Sequence, residues 1–180
     1  MSEAAAFEAD AGARRPVDVD LFKAVLGRFA TGVSIMTTVA DGTPHGMTVN
    51  ALASVSLEPR LVLVCVERAT VMATSVARSG SFALSFLAAD QAARSEAFAD
   101  SERPAGSAQF TGLATKTAVS GSPILVEAIA WLDCHVWATY DGGDHLIVVG
   151  EVVALDVGTG TGDDPLLYYR SGYGRFDPGR

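Results

Sequence analysis

The sequence predicts a mainly β fold with peripheral helices, its strands rolled into a closed or nearly closed barrel. Three observations carry this. Runs rich in β-branched residues recur along the chain, as in Val33–Val39 and Leu61–Val66, and such residues fit a pleated surface. The two longest strand candidates, Ala128–Tyr140 and Leu146–Val157, are apolar on both faces: Val148, Val152 and Ala154 on one side of the second, Ile147, Val149, Val153 and Leu155 on the other. A sheet buried on one side only would alternate more cleanly. Helical spacing is confined to short stretches between strands, so the helices cover the sheet rather than form the core.

In chain order, Leu21, Phe22, Val25, Leu26 and Phe29 recur at three and four, which predicts an amphipathic helix over Asp18–Phe29 capped by Asp18 or Asp20. Val33–Val39 is a strand ended by the turn Asp41-Gly42-Thr43-Pro44. His45–Val55 is β-like but rich in small and polar residues, and Leu57-Glu58-Pro59 breaks it before Leu61–Val66, a central strand apolar on both faces. Thr70–Ser79 has helical spacing and ends at Gly80. Phe82–Leu87 alternates as a strand, and Ala89–Ala99 has helix-forming composition. Asp100–Thr111 is a polar loop, either a cover for a ligand or a spacer. The two long strands are joined by the hairpin signal Asp141-Gly142-Gly143-Asp144-His145. Gly158–Asp164 is a loop, and Pro165–Phe176 is aromatic, basic and glycine-punctuated, unlike a frayed end.

The 180 residues fit one domain over 17–176 between a disordered N-terminal tail, 1–16, and a short tail, 177–180. With 49% hydrophobic and 19% charged residues, the chain has more apolar surface than one soluble domain covers, and a homodimer interface is the simplest cover. A net charge of -8 with 13 scattered Lys and Arg excludes nucleic-acid binding. No apolar run approaches the roughly 18 residues of a membrane helix. The acidic, interrupted N-terminus does not resemble a signal peptide, and Cys65 and Cys134 make neither a disulfide framework nor a metal set, so the expected compartment is cytoplasmic.

Chemistry narrows further by elimination. No G-x-S-x-G elbow occurs. His45, His135 and His145 lack metal-ligand spacing, and no metal is expected. His135 shares a strand face with Trp131 and Trp137, which predicts a packed, hydrogen-bonded ring. His145, beside Asp144 at a glycine turn, is placed to reach a ligand or to be a turn residue without a role. Neither GxGxxG nor GxxxxGK is present. What remains is a set of hydroxyl and amide groups, Thr48, Asn50, Ser54 and Ser56, which serve either a ligand or the polar face of an edge strand. Arg68 and Thr70, at the start of a helix, offer a charge and free N–H groups to an anion, or form a solvated turn. Such parts suit an isoalloxazine, which needs hydrogen bonds along its pyrimidine edge, an apolar wall and a counter-charge for phosphate.

An ordered set of motifs carries a closer likeness: Arg28-Phe29-Ala30-Thr31-Gly32-Val33, His45-Gly46-Met47-Thr48-Val49-Asn50-Ala51, Ala53 to Pro59, Leu63 to Val66, Ser79 to Ala83, Gly143-Asp144-His145 with Val149 to Val152, and Pro165 to Arg170. Over residues 21–176 the chain resembles the flavin reductase-like family, short-chain NAD(P)H:flavin oxidoreductases that serve two-component flavin-dependent monooxygenases. The resemblance implies an FMN-binding split β-barrel, homodimeric, with FAD or FMN near the subunit interface. By position it implies that Thr48, Val49, Asn50 and Ala51 line the isoalloxazine, that Ala53, Ser54, Val55 and Ser56 flank the ribityl-phosphate, and that Cys65, Glu67, Arg68, Ala69 and Thr70 complete ring and phosphate contacts. His145, Tyr169, Arg170 and Tyr173 would face NADH, or NADPH. The chain departs from the family in having Ala69-Thr70 where serines are common, and Ser85 in place of asparagine.

The activity so implied is hydride transfer from nicotinamide to flavin by stacking, with His145 positioning the dinucleotide and no residue as acid, base or nucleophile. Free reduced flavin would pass to a partner monooxygenase. Two alternatives stand beside it: a flavoprotein that keeps its flavin and reduces a quinone, corrinoid or ferric chelate, and a flavin-binding carrier or sensor without turnover.

Overall fold

The computed structural model describes residues 16–158, 164–177 and 179. Most of the expected N-terminal tail and of the Gly158–Asp164 loop, and part of the C-terminal tail, lie outside the described residues. The elements in order are helix α1 (Val19–Leu26), strands β1 (Thr31–Gly32), β2 (Ser34–Ala40), β3 (Thr43–Val49), β4 (Leu52–Leu57) and β5 (Arg60–Glu67), helix α2 (Val71–Ser79), strand β6 (Ser81–Phe86) and helix α3 (Ala92–Ala99). A 3₁₀ turn (Gly106–Phe110), the short strands β7 (Thr115–Lys116) and β8 (Ile124–Leu125), the long β9 (Ala130–Gly142) and β10 (His145–Val157), and a last hairpin of β11 (Leu166–Tyr169) and β12 (Gly172–Arg175) follow. The fold is mainly β, and no helix is long and apolar enough to cross a membrane.

Seven strands form one antiparallel sheet in the order β3-β2-β6-β9-β10-β5-β4. Its edge strands, β3 and β4, are consecutive in sequence and joined by Asn50 and Ala51 alone. Flat, such a sheet would hold its edges roughly 29 Å apart, whereas Val49 to Leu52 can span at most roughly 11 Å. The sheet is therefore rolled until its edges approach, and because no ladder joins β3 to β4 a seam stays open there. The sequence reading of His45–Val55 as one stretch is corrected: it is two strands on opposite edges, broken at Asn50-Ala51.

Rolling gives the sheet two apolar faces. Met36, Val64, Val66, Phe82, Leu84, Cys134 and Val148 pack inside, and Met72, Ala73 and Val76 of α2 join them. Thr70 caps that helix by accepting from Ala73 N–H, and Gly80 ends it in the left-handed region at φ 66°, which glycine adopts without a Cβ penalty. The opposite face packs Val33, Ile35 and Leu87 against Phe98 of α3 and Leu166 of β11.

The Asp100–Thr111 segment is fastened along edge strand β3. Gly46 N–H donates to Gln109 Oε1 at 2.8 Å, and Arg103 Nε donates to the Gly46 carbonyl at 3.2 Å. This satisfies backbone groups that an open edge would leave for another strand. Gly46 permits it, since a Cβ there would collide with the Phe98 ring, which packs on Phe110 with centroids 5.5 Å apart. A second correction concerns His135, which is exposed rather than packed. Strand β9 pairs with β6 in unbroken register from Trp131 to His135, so the two residues share a face, and the packing that buries Trp131 does not extend as far as His135.

Candidate active site

The seam is where functional groups converge. Asn50 is exposed at the point where the chain leaves β3, and its Nδ2 donates to Thr31 Oγ1 at 3.2 Å. One amide proton and the carbonyl oxygen of Asn50 are left to a ligand, and Thr31, having accepted, keeps its own proton to donate. A cleft of 390 Å³ opens beside them, walled by Phe29, Val33, Leu52, Phe86 and Leu166. A smaller one of 210 Å³, lined by Thr48, Ser95, Tyr168 and Tyr173, shares Val33 and Asn50 with the first. Together they form a mostly apolar site with a few convergent polar groups.

The smaller cleft is held by a chain of hydrogen bonds. Thr48 Oγ1 donates to the Ser95 carbonyl at 2.6 Å, and Ser95 Oγ lies 2.9 Å from Tyr173 Oη. Tyr168 meets the Tyr173 ring edge-on, centroids 5.6 Å apart, and pairs across the ladder with Thr31. Edge strand, α3 and terminal hairpin thus fix one another around the cleft. Ser95 is fully buried, and no motif in the sequence singles it out.

One strand away lies a second group. Cys65 N–H donates to the Ala51 carbonyl at 3.0 Å, which ties β5 to the Asn50-Ala51 link. At the end of β5, Glu67 pairs with His145. Arg68 clasps the β9–β10 turn three times, from N to the Asp144 carbonyl at 3.0 Å, from Nε to the Gly143 carbonyl at 2.7 Å and from Nη2 to Asp141 Oδ1 at 2.7 Å. The Gly143 N–H, with Arg68 behind it, holds the Asp141 carboxyl below the usual carboxylate range. His145 Nδ1 sits 2.8 Å from Asp144 Oδ1. A carboxylate only accepts, so Nδ1 carries the proton and Nε2 is presented to solvent. The same contact keeps the Asp144 carboxyl below its ordinary range.

A Flavin reductase like domain matches residues 26–177. The chain belongs to this family. It is 37% identical over 164 residues to a flavin reductase of Pseudomonas putida, covering 91% of this chain and 93% of that one. It is 41% identical over 139 residues to an NADH-dependent FAD reductase of Streptomyces globisporus, covering 77% and 76%. The solved NADH:FAD oxidoreductase of Streptomyces globisporus, in complex with NAD and FAD fragments, superposes with a TM-score of 0.81 at 34% identity, covering 92% of this chain and 98% of that one.

Against a flavin-reductase site, the residues singled out from sequence fall into three neighbourhoods. Thr48, Asn50 and Tyr173 share the seam cleft; Val49 turns its side chain into the core and leaves only backbone. Glu67 meets His145 across β5 and β10 and Arg68 bonds the adjoining turn, with Ala69 and Thr70 following as the lead into α2. Ala53, Ser54 and Val55 are exposed along β4, with Ser54 opposite Val62 and Ser56 opposite Leu61. That places Ser54 and Ser56 roughly 20 Å along the strand from Arg68, at about 3.3 Å per residue. One phosphate cannot touch both sets in one protomer. Ser56 Oγ is also engaged, accepting from Glu58 N–H at 3.2 Å, and Thr70 Oγ1 donates to the Glu67 carbonyl at 2.7 Å while capping α2. Tyr169 and Arg170 stand at the terminal hairpin, where Arg170 and Ser171 both have positive φ and Arg170 N–H donates to the Gly27 carbonyl at 2.8 Å. Thr31, Val33 and Ser95 were not among the site residues expected from sequence, although Thr31 and Val33 lie in the Arg28–Val33 motif and Tyr168 in the Pro165–Arg170 motif.

Proposed function

We propose that the protein is an NAD(P)H:flavin oxidoreductase that reduces FAD or FMN with NADH and releases reduced flavin to a partner monooxygenase. The observation that carries this reading is the seam cleft, where the free half of the Asn50 amide and the Thr31 hydroxyl face an apolar wall large enough for a flat ring system. The residues fit a flavin: an amide that donates and accepts matches its pyrimidine edge, and Phe29, Val33 and Leu52 suit its benzenoid side.

Flavin and dihydronicotinamide, when bound, supply the hydride acceptor and donor, and the chain supplies placement. Asn50 and Thr31 orient the ring edge and donate where negative charge develops. Val33 and Leu52 keep water from one face, and Tyr168 and Tyr173 close the other end. His145 receives the dinucleotide with its proton fixed on Nδ1 by Asp144. No proton-transfer residue is required, because the chemistry is proximity and stacking.

Assembly completes the reading. Helix α1 buries none of its residues, and Leu21, Phe22, Val25 and Leu26 are each more than half exposed on one short helix. The apolar face of α1 supports homodimeric assembly, while the split barrel, the flavin site near the subunit interface and the cytoplasmic location rest on the family resemblance. The purified protein tests the activity. Colourless protein that oxidises NADH only when FAD or FMN is added is the expected result. A yellow protein that needs a different acceptor, or one inert under all four flavin and nicotinamide combinations, overturns it.

A further inference from the structure

A second cleft, of 490 Å³, lies between β3, α2 and the Asp100–Thr111 segment, and it shares no lining residue with the seam clefts. At its base is His45, only 7% exposed. Three contacts bear on where its proton sits. Gly46 N–H donates to Gln109 Oε1 at 2.8 Å, which fixes the orientation of that amide. Gln109 Nε2 is then a donor, and it stands 3.3 Å from His45 Nδ1. Both ring nitrogens thus face donors while neutral His45 has one acceptor to offer, and with Nδ1 accepting from Gln109, the nearer of the two, the proton sits on Nε2. That N–H faces Arg103 Nη2 at 3.5 Å, and guanidinium nitrogens only donate. Two donors therefore confront each other, and neither has an acceptor from the other.

The charge around them is unbalanced in the same sense. Arg103 donates to the Gly46 and Asp100 carbonyls and forms no ion pair among the described residues, while the Asp100 carboxylate accepts from Glu102 N–H. Arg78, the other cation on the cleft, is paired with Asp41. The Asp100 carboxylate acts on Arg103 through space without bonding to it, so among the described residues no carboxylate contacts the guanidinium, which suits a monoanion. The rest of the wall is largely apolar, with Pro44, Val71 and Pro104 prominent. Burial and the neighbouring guanidinium both hold the His45 ring below its ordinary range, in keeping with a neutral, proton-donating imidazole.

We propose that this cleft binds a small organic carboxylate, one oxygen accepting from both His45 Nε2–H and Arg103 Nη2–H and the apolar body lying against Pro44, Val71 and Pro104. It is a second ligand site, on the opposite side of β3 from Thr48, and it does not depend on the seam being a flavin site. Bound carboxylate would add a negative charge beside His45, where Arg103, Arg78 and Asp41 are the other charged groups on the cleft. Affinity therefore rises as the imidazole gains a proton at lower pH.

Benzoate is the probe, with the full chain labelled in nitrogen-15 and read by NMR. The ring of unliganded His45 is expected as the Nε2–H tautomer, a measurement that needs no variant. Benzoate should shift the amides of Gly46, Arg103 and Thr74, bind more tightly at about pH 6 than at about pH 8, and be displaced neither by benzamide nor by inorganic phosphate at equal concentration. Arg103→Gln should weaken benzoate at least tenfold. Thr74→Phe, at an exposed helical position on the cleft, should block it while leaving Arg103 and the fold in place. An Nδ1–H tautomer, equal binding of benzamide, stronger binding of phosphate, or shifts centred on Asn50 and Tyr173 would each overturn the proposal.

Discussion

Asn50 shows how much one side chain at the seam can decide. It sits on the two-residue link between the edge strands, so its backbone has no freedom to drift, and half of its amide is already spent on Thr31. Asn50→Ala removes the proposed ring-edge contacts without touching the core. A loss of about 1.4 kcal/mol, a tenfold rise in flavin Kd, is the expected outcome, in line with a hydrogen bond between polar partners. Flavin fluorescence titration measures it, and an unchanged Kd would move the flavin away from the seam. His45 makes a different prediction. Its pKa in the fold is lowered by burial first and by Arg103 second, so the unfolded chain binds its proton more readily. Its contribution to stability is therefore complete above the unfolded value of about 6.5 and is lost as pH falls below that toward the folded value. Urea midpoints should drop between about pH 7 and pH 5, and His45→Gln should flatten the part of that slope due to the imidazole. At this scale the sequence was readable for types and blind to partners. Asn50 and Thr48 stood out as polar residues among apolar ones, but Ser95 is a serine in an ordinary helix whose value comes only from meeting Thr48 and Tyr173. His45 looked like part of a ligand-binding motif and instead faces the other side of β3.

Among the elements, the hairpin of β9 and β10 does the most to assemble the site. Its strands were legible because long β-branched runs around Gly142-Gly143 have few other solutions, and α2 was legible from Thr70 and Gly80 as its caps. Strand β4 was not, since a break at Asn50-Ala51 carries no glycine or proline to announce it. The pairing of β10 with β5 joins segments far apart in sequence and cannot be read from local pattern at all. Its functional consequence is the clasp of Arg68 on the turn. Asp141 takes the Arg68 guanidinium and the Gly143 N–H together, so the loop that presents His145 is held from two sides. Asp141→Asn weakens the charged half of this clasp and keeps the fold. The expected result is a rise of about three- to tenfold in KM for NADH with flavin Kd unchanged, measured by steady-state kinetics at saturating flavin. If flavin Kd rises instead and KM holds, Arg68 serves a flavin phosphate and not the hairpin.

For the molecule as a whole, the open question of a rolled sheet with a seam is what keeps water out of it. Within one chain, α1 does little to do so: its Asp18 cap accepts from Leu21 N–H at 2.8 Å and the helix is well formed, yet none of its residues is buried among the described ones. A helix of eight residues is too short to persist in water on propensity alone. Its stability must come from a surface that covers Leu21, Phe22 and Leu26, and the chain composition, 49% hydrophobic against 19% charged, points the same way. The proposed homodimer would supply that surface from a second copy without new sequence, because a twofold interface uses the same patch twice. Phe22→Glu places a charge at its centre and leaves every described core residue untouched. In sedimentation velocity the natural chain should run as a dimer and the variant as a monomer at micromolar concentration. The variant should also lose flavin reductase activity by more than its fold stability falls, since the motif that follows α1, Phe29 to Val33, walls the seam cleft. A monomeric natural chain with full activity would place the flavin entirely within one protomer, and α1 would then need another partner.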